Sequence, residues 1–181
     1  MDELIIFDQY ITDLIDDKPG LEDGIKKIKL YVTESFNDVN MQWLSDETVN
    51  TFYKEFEEWL NNLLVNEPLS QDIIALNFGL FELKDGIQLH ISGSSKWDVK
   101  NTAWACNDDY FPEGRFARIS VFKYIMKAYN HYNWAGIFLS LAIVIIFVSE
   151  YSLQNENKLI CKGTEKLHLA AGFDDGDLYN I

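Results

Sequence analysis

The sequence predicts a single α+β domain of 181 residues, with a mainly antiparallel sheet of about four or five strands covered by a helical layer and a buried hydrophobic helix at its centre. Three observations carry this expectation. Apolar residues recur at helical spacing from Leu4 to about residue 66. The period then changes: Ile87, Leu89 and Ile91 alternate with Gln88, His90 and Ser92. Finally, Trp134–Val148 reads WAGIFLSLAIVIIFV, without a charge and with Ser140 as its one clearly polar residue.

The N-terminal part, 1–66, divides into three helices. Residues 3–17 carry Leu4, Phe7, Ile11 and Leu14 on one stripe, with Asp2 as cap, and stop at Lys18-Pro19-Gly20. Residues 21–36 repeat the pattern with Leu21, Ile25, Ile28, Val32 and Phe36. The third helix starts after Ser45, a capping residue followed by Asp46 and Glu47, where acids favour the helix dipole. Its face is Val49, Phe52, Phe56, Trp59, Leu60, Leu63 and Leu64, and Asn66-Glu67-Pro68 ends it.

Residues 72–106 read as a hairpin closed by Asp85-Gly86, followed by a short third strand over 101–106. The second hairpin strand has two unlike faces, which leaves one side of the sheet wet or functional. A long helical region covers 115–153, with a bend near Tyr132-Asn133. Lys158–Cys161 is a possible strand, and 166–181 forms a closing hairpin around Gly172-Phe173-Asp174-Asp175-Gly176-Asp177. As a helix, the fifteen residues 134–148 extend only ~22 Å, short of the ~30 Å hydrocarbon core. A helix apolar all round is therefore read as the inner spine of the domain. A buried strand within 142–148 and membrane attachment through 134–148 are the alternatives.

The formal net charge is −14, from 29 acids and 15 bases. Such a field disfavours nucleic acid and anionic membrane surfaces and favours a basic protein partner. Two cysteines, Cys106 and Cys161, do not make a disulfide scaffold, and the acidic start Met1-Asp2-Glu3-Leu4 is unlike a secretory signal, so a cytoplasmic location is expected.

No catalytic, cofactor or metal signature emerges. His90, His131 and His168 lack ligand spacing, no glycine-rich phosphate loop exists, and Gly93-Ser94-Ser95 lacks the second glycine of a nucleophile elbow. Asp174-Asp175-Gly176-Asp177 lacks the alternating oxygens and closing Glu of an EF-hand; it is read as a surface turn able to meet a basic partner. Trp104-Ala105-Cys106-Asn107-Asp108-Asp109-Tyr110-Phe111 sets aromatics beside acids, a pattern that serves an interface or a strand end packed inward. Trp104, Asp108, Asp109, Asp174, Asp175 and Asp177 are thus the candidate partner contacts. An enzymatic alternative, a small hydrolase or transferase, pairs His90 with Cys106 or a carboxylate. A reactive thiol needs electropositive surroundings, and Asp108 and Asp109 supply the opposite.

The strand Leu89-His90-Ile91-Ser92-Gly93-Ser94, the run Trp104-Ala105-Cys106-Asn107-Asp108-Asp109-Tyr110-Phe111-Pro112 and the terminal Gly172-Phe173-Asp174-Asp175-Gly176-Asp177-Leu178-Tyr179 together resemble small uncharacterised bacterial proteins. Some of these are similar to immunity proteins of polymorphic toxin systems. The resemblance covers roughly the second half of the chain. It implies an acidic, cytoplasmic, single-domain inhibitor that plugs a cognate toxin, and it transfers no residue-level role.

Overall fold

A computed structural model describes residues 3–36, 38–84, 86–160 and 166–181, with backbone only for 3–5. Asp2, Asp85 and Cys161, the expected cap, turn residue and strand end, lie outside the described residues.

The three N-terminal helices form where the apolar spacing places them: α1 (Glu3–Asp17), α2 (Leu21–Ser35) and α3 (Asp46–Asn66). Ser45 and Thr48 exchange side-chain and backbone hydrogen bonds in a capping box at the head of α3. The head of α2 has no such local cap, because Gly20 precedes it. Its first free N–H, on Leu21, donates instead to Glu150 Oε2 at 3.0 Å, an acceptor 129 positions away.

Two strands follow, β1 (Ala75–Leu83) and β2 (Gly86–Ser94), paired antiparallel. The chain then leaves the sheet for α4 (Val121–His131) and α5 (Asn133–Gln154), which meet at extended Tyr132, where the sequence predicts a bend. It returns as β3 (His168–Phe173) and β4 (Leu178–Asn180). Sheet order is β2-β1-β3-β4; the outer pairings are antiparallel and the central β1–β3 pairing is parallel.

The stretch 134–148 lies inside α5, and every residue from Phe138 to Val148 is buried. The helix touches α1, α2, α3, α4, β1 and β3. By length and composition it could cross a membrane, yet 72% of its most apolar window is covered by the fold itself. Ser140 satisfies its hydroxyl on the carbonyl of Gly136 at 2.8 Å, so the helix carries no unpaired side-chain polar atom into the core. Phe56 of α3 packs against Phe78, Phe147 and Tyr151 with ring centroids 5.7–6.1 Å apart, joining the helical layer to the sheet and to α5.

Strand register divides the sheet into two unlike faces. Leu76, Phe78 and Leu80, with Leu89, Ile91, Leu169 and Ala171, face the helical core. The other face carries Ala75, Asn77 and Gly79 on β1, opposite Ser94, Ser92 and His90 on β2 and opposite His168, Ala170 and Gly172 on β3. The alternation on β2 predicts two unlike faces; the outer one is largely covered, with Ala75, Asn77, Ser92, Ser94 and Ala170 buried, His90 half-buried and His168 exposed.

Three local expectations are corrected. Residues 101–106 are not a strand: Thr102–Cys106 is a 3-10 helix, capped by Asn101 Oδ1 on the N–H of Ala103. The turn lets Trp104 fold back onto Ala75 and Ala170, a patch of small residues that an extended segment would leave bare. Second, the helical region starts at Val121, not at 115. Residues 115–117 run along the free edge of β2, where Ile91 N donates to Arg115 O (3.1 Å) and Ala117 N to Leu89 O (3.0 Å), covering an edge that would otherwise stay unpaired. Third, the region from Lys158 shows a 3-10 turn at Glu156–Lys158 and a single bridge between Ile160 and Lys166 rather than a described strand.

Candidate functional site

The Asp174–Asp177 turn connects β3 to β4 and divides the acidic candidates between its two sides. On the outer face of the sheet lies a cleft of ≈ 300 Å³. Its floor is Asn77, Ser92 and Gly172. One wall is Thr102, Ala105, Cys106 and Asp108, the other Asp174, Gly176 and Leu178, and His90, Phe111 and Phe173 complete it. The floor is low because β1 and β3 place glycines opposite each other at Gly79 and Gly172. A Cβ on Gly79 would lie 2.2 Å from His90 Nε2, so the absent side chain is what lets the imidazole rest across β1. There His90 Nε2 meets Asp174 Oδ1 at 2.9 Å.

Asn77 is the residue in this cleft that sequence reasoning missed. It is 6% exposed, and its Oδ1 has no hydrogen-bond partner. A buried amide without a partner is costly, so native folds rarely keep one without a use. The signal in the sequence is a lone Asn, followed two positions later by Gly79, in the otherwise apolar strand Ala75–Leu80.

On the other side of the turn lies a groove of ≈ 520 Å³. Phe7, Trp134, Ile137 and Phe173 are among its apolar lining, and Asp8, Glu82, Asp175 and Asp177 are its charges; no Lys or Arg lines it. Trp134 is 47% exposed, unlike the rest of the buried stretch that it begins. Tyr179 donates to Asp8 Oδ1 at 3.0 Å, and burial, that bond and the charges of Asp8 and Asp177 push its phenol up.

The six predicted contacts therefore do not make one surface. Asp108 and Asp174 border the cleft and Asp175 and Asp177 the groove. Asp109 is exposed but already engaged: Ser95 donates to its Oδ2 through N–H (2.8 Å) and Oγ–H (2.7 Å), and these bonds hold the carboxyl below its usual range. Trp104 is 5% exposed, and its ring packs against Ala75 and Ala170.

For chemistry, His90 and Cys106 do share the cleft, and Asp174 is positioned to orient the imidazole. No hydrogen bond joins the Cys106 thiol to the His90 ring, and a nucleophile and its base need that reach or one bridging water. Among the described residues, no group of three or more His, Cys, Asp and Glu side chains is placed to hold a metal ion. Comparisons of the chain with protein-family models, with curated proteins and with solved structures gave no match.

Proposed function

We propose that this protein is a non-enzymatic, cytoplasmic binding module for a basic protein, an immunity-type inhibitor of a basic toxin domain. The observation that carries the reading is the groove in which Asp8, Glu82, Asp175 and Asp177 surround half-exposed Trp134 and the Phe7 and Phe173 rings. An aromatic floor ringed by one sign of charge is the arrangement that anchors a partner and selects its charge. The −14 field around it speeds encounter with a cationic surface and weakens with added salt.

The test starts from a basic partner captured at low salt or encoded beside this chain. Stopped-flow association is then compared for the wild type, the double variant Asp175→Asn/Asp177→Asn and Trp134→Ala. The double variant is expected to associate about tenfold more slowly and with a shallower salt dependence. Trp134→Ala is expected to dissociate faster at a nearly unchanged association rate. Unchanged rates in both variants would remove the groove from the interface.

A second reading, a hydrolase or transferase, is favoured by the His90–Asp174 pair beside Cys106. It requires that His90 activate the thiol. Labelling of Cys106 by a thiol reagent would then slow in His90→Ala, whereas an equal rate in both proteins excludes the pairing.

A further inference from the structure

The cleft on the outer face of the sheet has an independent use, one that stands whether or not the groove takes a basic protein. We infer that it is a binding site for a guanidinium group, with Asn77 Oδ1 as the inner acceptor and Asp108 and Asp174 as the charged rim.

Two separate observations converge. First, Asn77 keeps an unpartnered Oδ1 at a position 6% exposed, on the floor of the cleft. The nearby Ser92 hydroxyl does not serve it, as it turns to the carbonyl of Ala105 at 3.5 Å. Rotation of the amide about χ2 is a broad and cheap torsion, so Oδ1 can be presented to a donor that enters the cleft. Second, the cleft is one-signed: its lining residues include Asp108 and Asp174 but no Lys or Arg. An anion is repelled by that rim; Asp174 Oδ1 already meets His90, so the charge left for a ligand is that of Asp108 and the second oxygen of Asp174.

The choice of guanidinium over ammonium follows from shape. A planar, multi-donor cation can give one N–H to an amide oxygen and two to a carboxylate while its flat face lies on a ring. Phe111, which is 48% exposed, already receives a guanidinium in this way, since the Arg115 group lies 4.0 Å from its centroid. Arg115 itself donates to the Pro112 carbonyl at 3.1 Å and does not line the cleft, so the acceptors on the floor are left to a visitor. A volume of ≈ 300 Å³ is at the small end for ligand pockets and suits a side-chain-sized group.

The source of the group, a free small molecule or an arginine side chain, is separated by the experiment. Isotope-labelled protein is titrated with agmatine, with a short arginine-bearing peptide, with n-butylamine and with urea, following the Asn77 side-chain NH₂ resonance. The expected result is a saturable shift of that resonance with a guanidinium probe, much weaker shifts with the amine, and none with urea. Asp108→Asn, an exposed change, is expected to weaken binding about tenfold. Asn77→Val is expected to lose binding while melting at the same or a higher temperature, because it removes an unpaired acceptor from the fold. A response to both guanidinium probes means the group alone is sufficient, and a response to the peptide alone assigns the site to a protein side chain. The assignment falls if neither probe moves Asn77, if Asn77→Val binds as the wild type does, or if urea binds as well as agmatine.

Discussion

Glu67 shows how far the acids of this chain are used as fasteners rather than as surface charge. Its carboxylate accepts the N–H of Glu113 (2.7 Å) and of Gly114 (2.8 Å), and its own carbonyl takes the Tyr110 hydroxyl at 2.7 Å. Glu55 does the same for Ser120 at the head of α4, and Glu150 for Leu21 at the head of α2. Charge-assisted bonds of this kind contribute about 1.5–3 kcal/mol each when desolvated and less when wet. Glu67→Ala is therefore expected to lower stability by about 1–2 kcal/mol, and Glu67→Gln by less, as read from urea midpoints at constant slope. A wild-type midpoint in Glu67→Ala would mean that the 107–116 loop is held elsewhere. These roles were invisible in the sequence, where Glu67 reads only as the polar end of α3. The backbone N–H groups it serves are 46 and 47 positions away, and composition cannot distinguish a bracing acid from a solvated one. His90 differs in this respect: it belongs to an alternating strand, so its placement on the outer face follows from the strand period, whereas Asn77, although it interrupts the apolar run Ala75–Leu80, was missed.

At the scale of elements, two glycines set how closely α5 is approached. A Cβ on Gly136 would meet Tyr129 Cβ at 2.3 Å and Tyr129 Cα at 2.6 Å, so α4 and α5 touch nearly backbone to backbone. A Cβ on Gly24 of α2 would meet Ile146 Cδ1 at 2.5 Å and Cγ1 at 3.0 Å, side-chain rather than main-chain atoms. Alanine gains about 1 kcal/mol of helix propensity at either site. At Gly136 the overlap with main-chain atoms outweighs that gain, and Gly136→Ala is expected to cost about 2–3 kcal/mol. Gly24→Ala is expected to change stability by less than about 1 kcal/mol. Thermal unfolding of the two variants side by side checks the order; equal melting points would show that the α4–α5 contact can relax. Helices α1–α3 were readable because each carries an apolar stripe, and α1 and α3 a stop signal as well. Thr102–Cys106 was not, since its conformation is set by where Trp104 must go, a tertiary demand that overrides local preference.

Across the whole molecule, the phenols form a distributed alkaline weakness. Burial raises Tyr10, Tyr110 and Tyr151 to about 12, aided at Tyr10 by the charges of Tyr31 and Glu34, at Tyr110 by that of Glu67 and at Tyr151 by that of Glu57. Tyr53 and Tyr179 are raised as well, again chiefly by burial. A group that holds its proton more tightly when folded contributes stability that is full below the unfolded value near 10 and is lost as pH climbs toward the folded one. Urea midpoints are therefore expected to hold from pH 7 to about 9.5 and to fall steeply between about 10 and 12, in step with phenolate absorbance. A midpoint that is flat through pH 11.5 would contradict the burial of these rings. The α+β class, the helical cover and the buried spine could all be read from periodicity, which records which face of an element is hidden. The parallel partnership of β1 and β3 could not, because the two strands are separated by about 90 residues and nothing local marks them as neighbours.

That same partnership orders the events of folding. Until β3 docks, the inner edge of β1 stays open from Ala75 to Leu80, and α5 lacks the strand that packs against it. An intermediate caught before that pairing displays the apolar Phe138–Val148 run beside an unfinished ribbon. A chain cut just before His168 should therefore be the form that clumps.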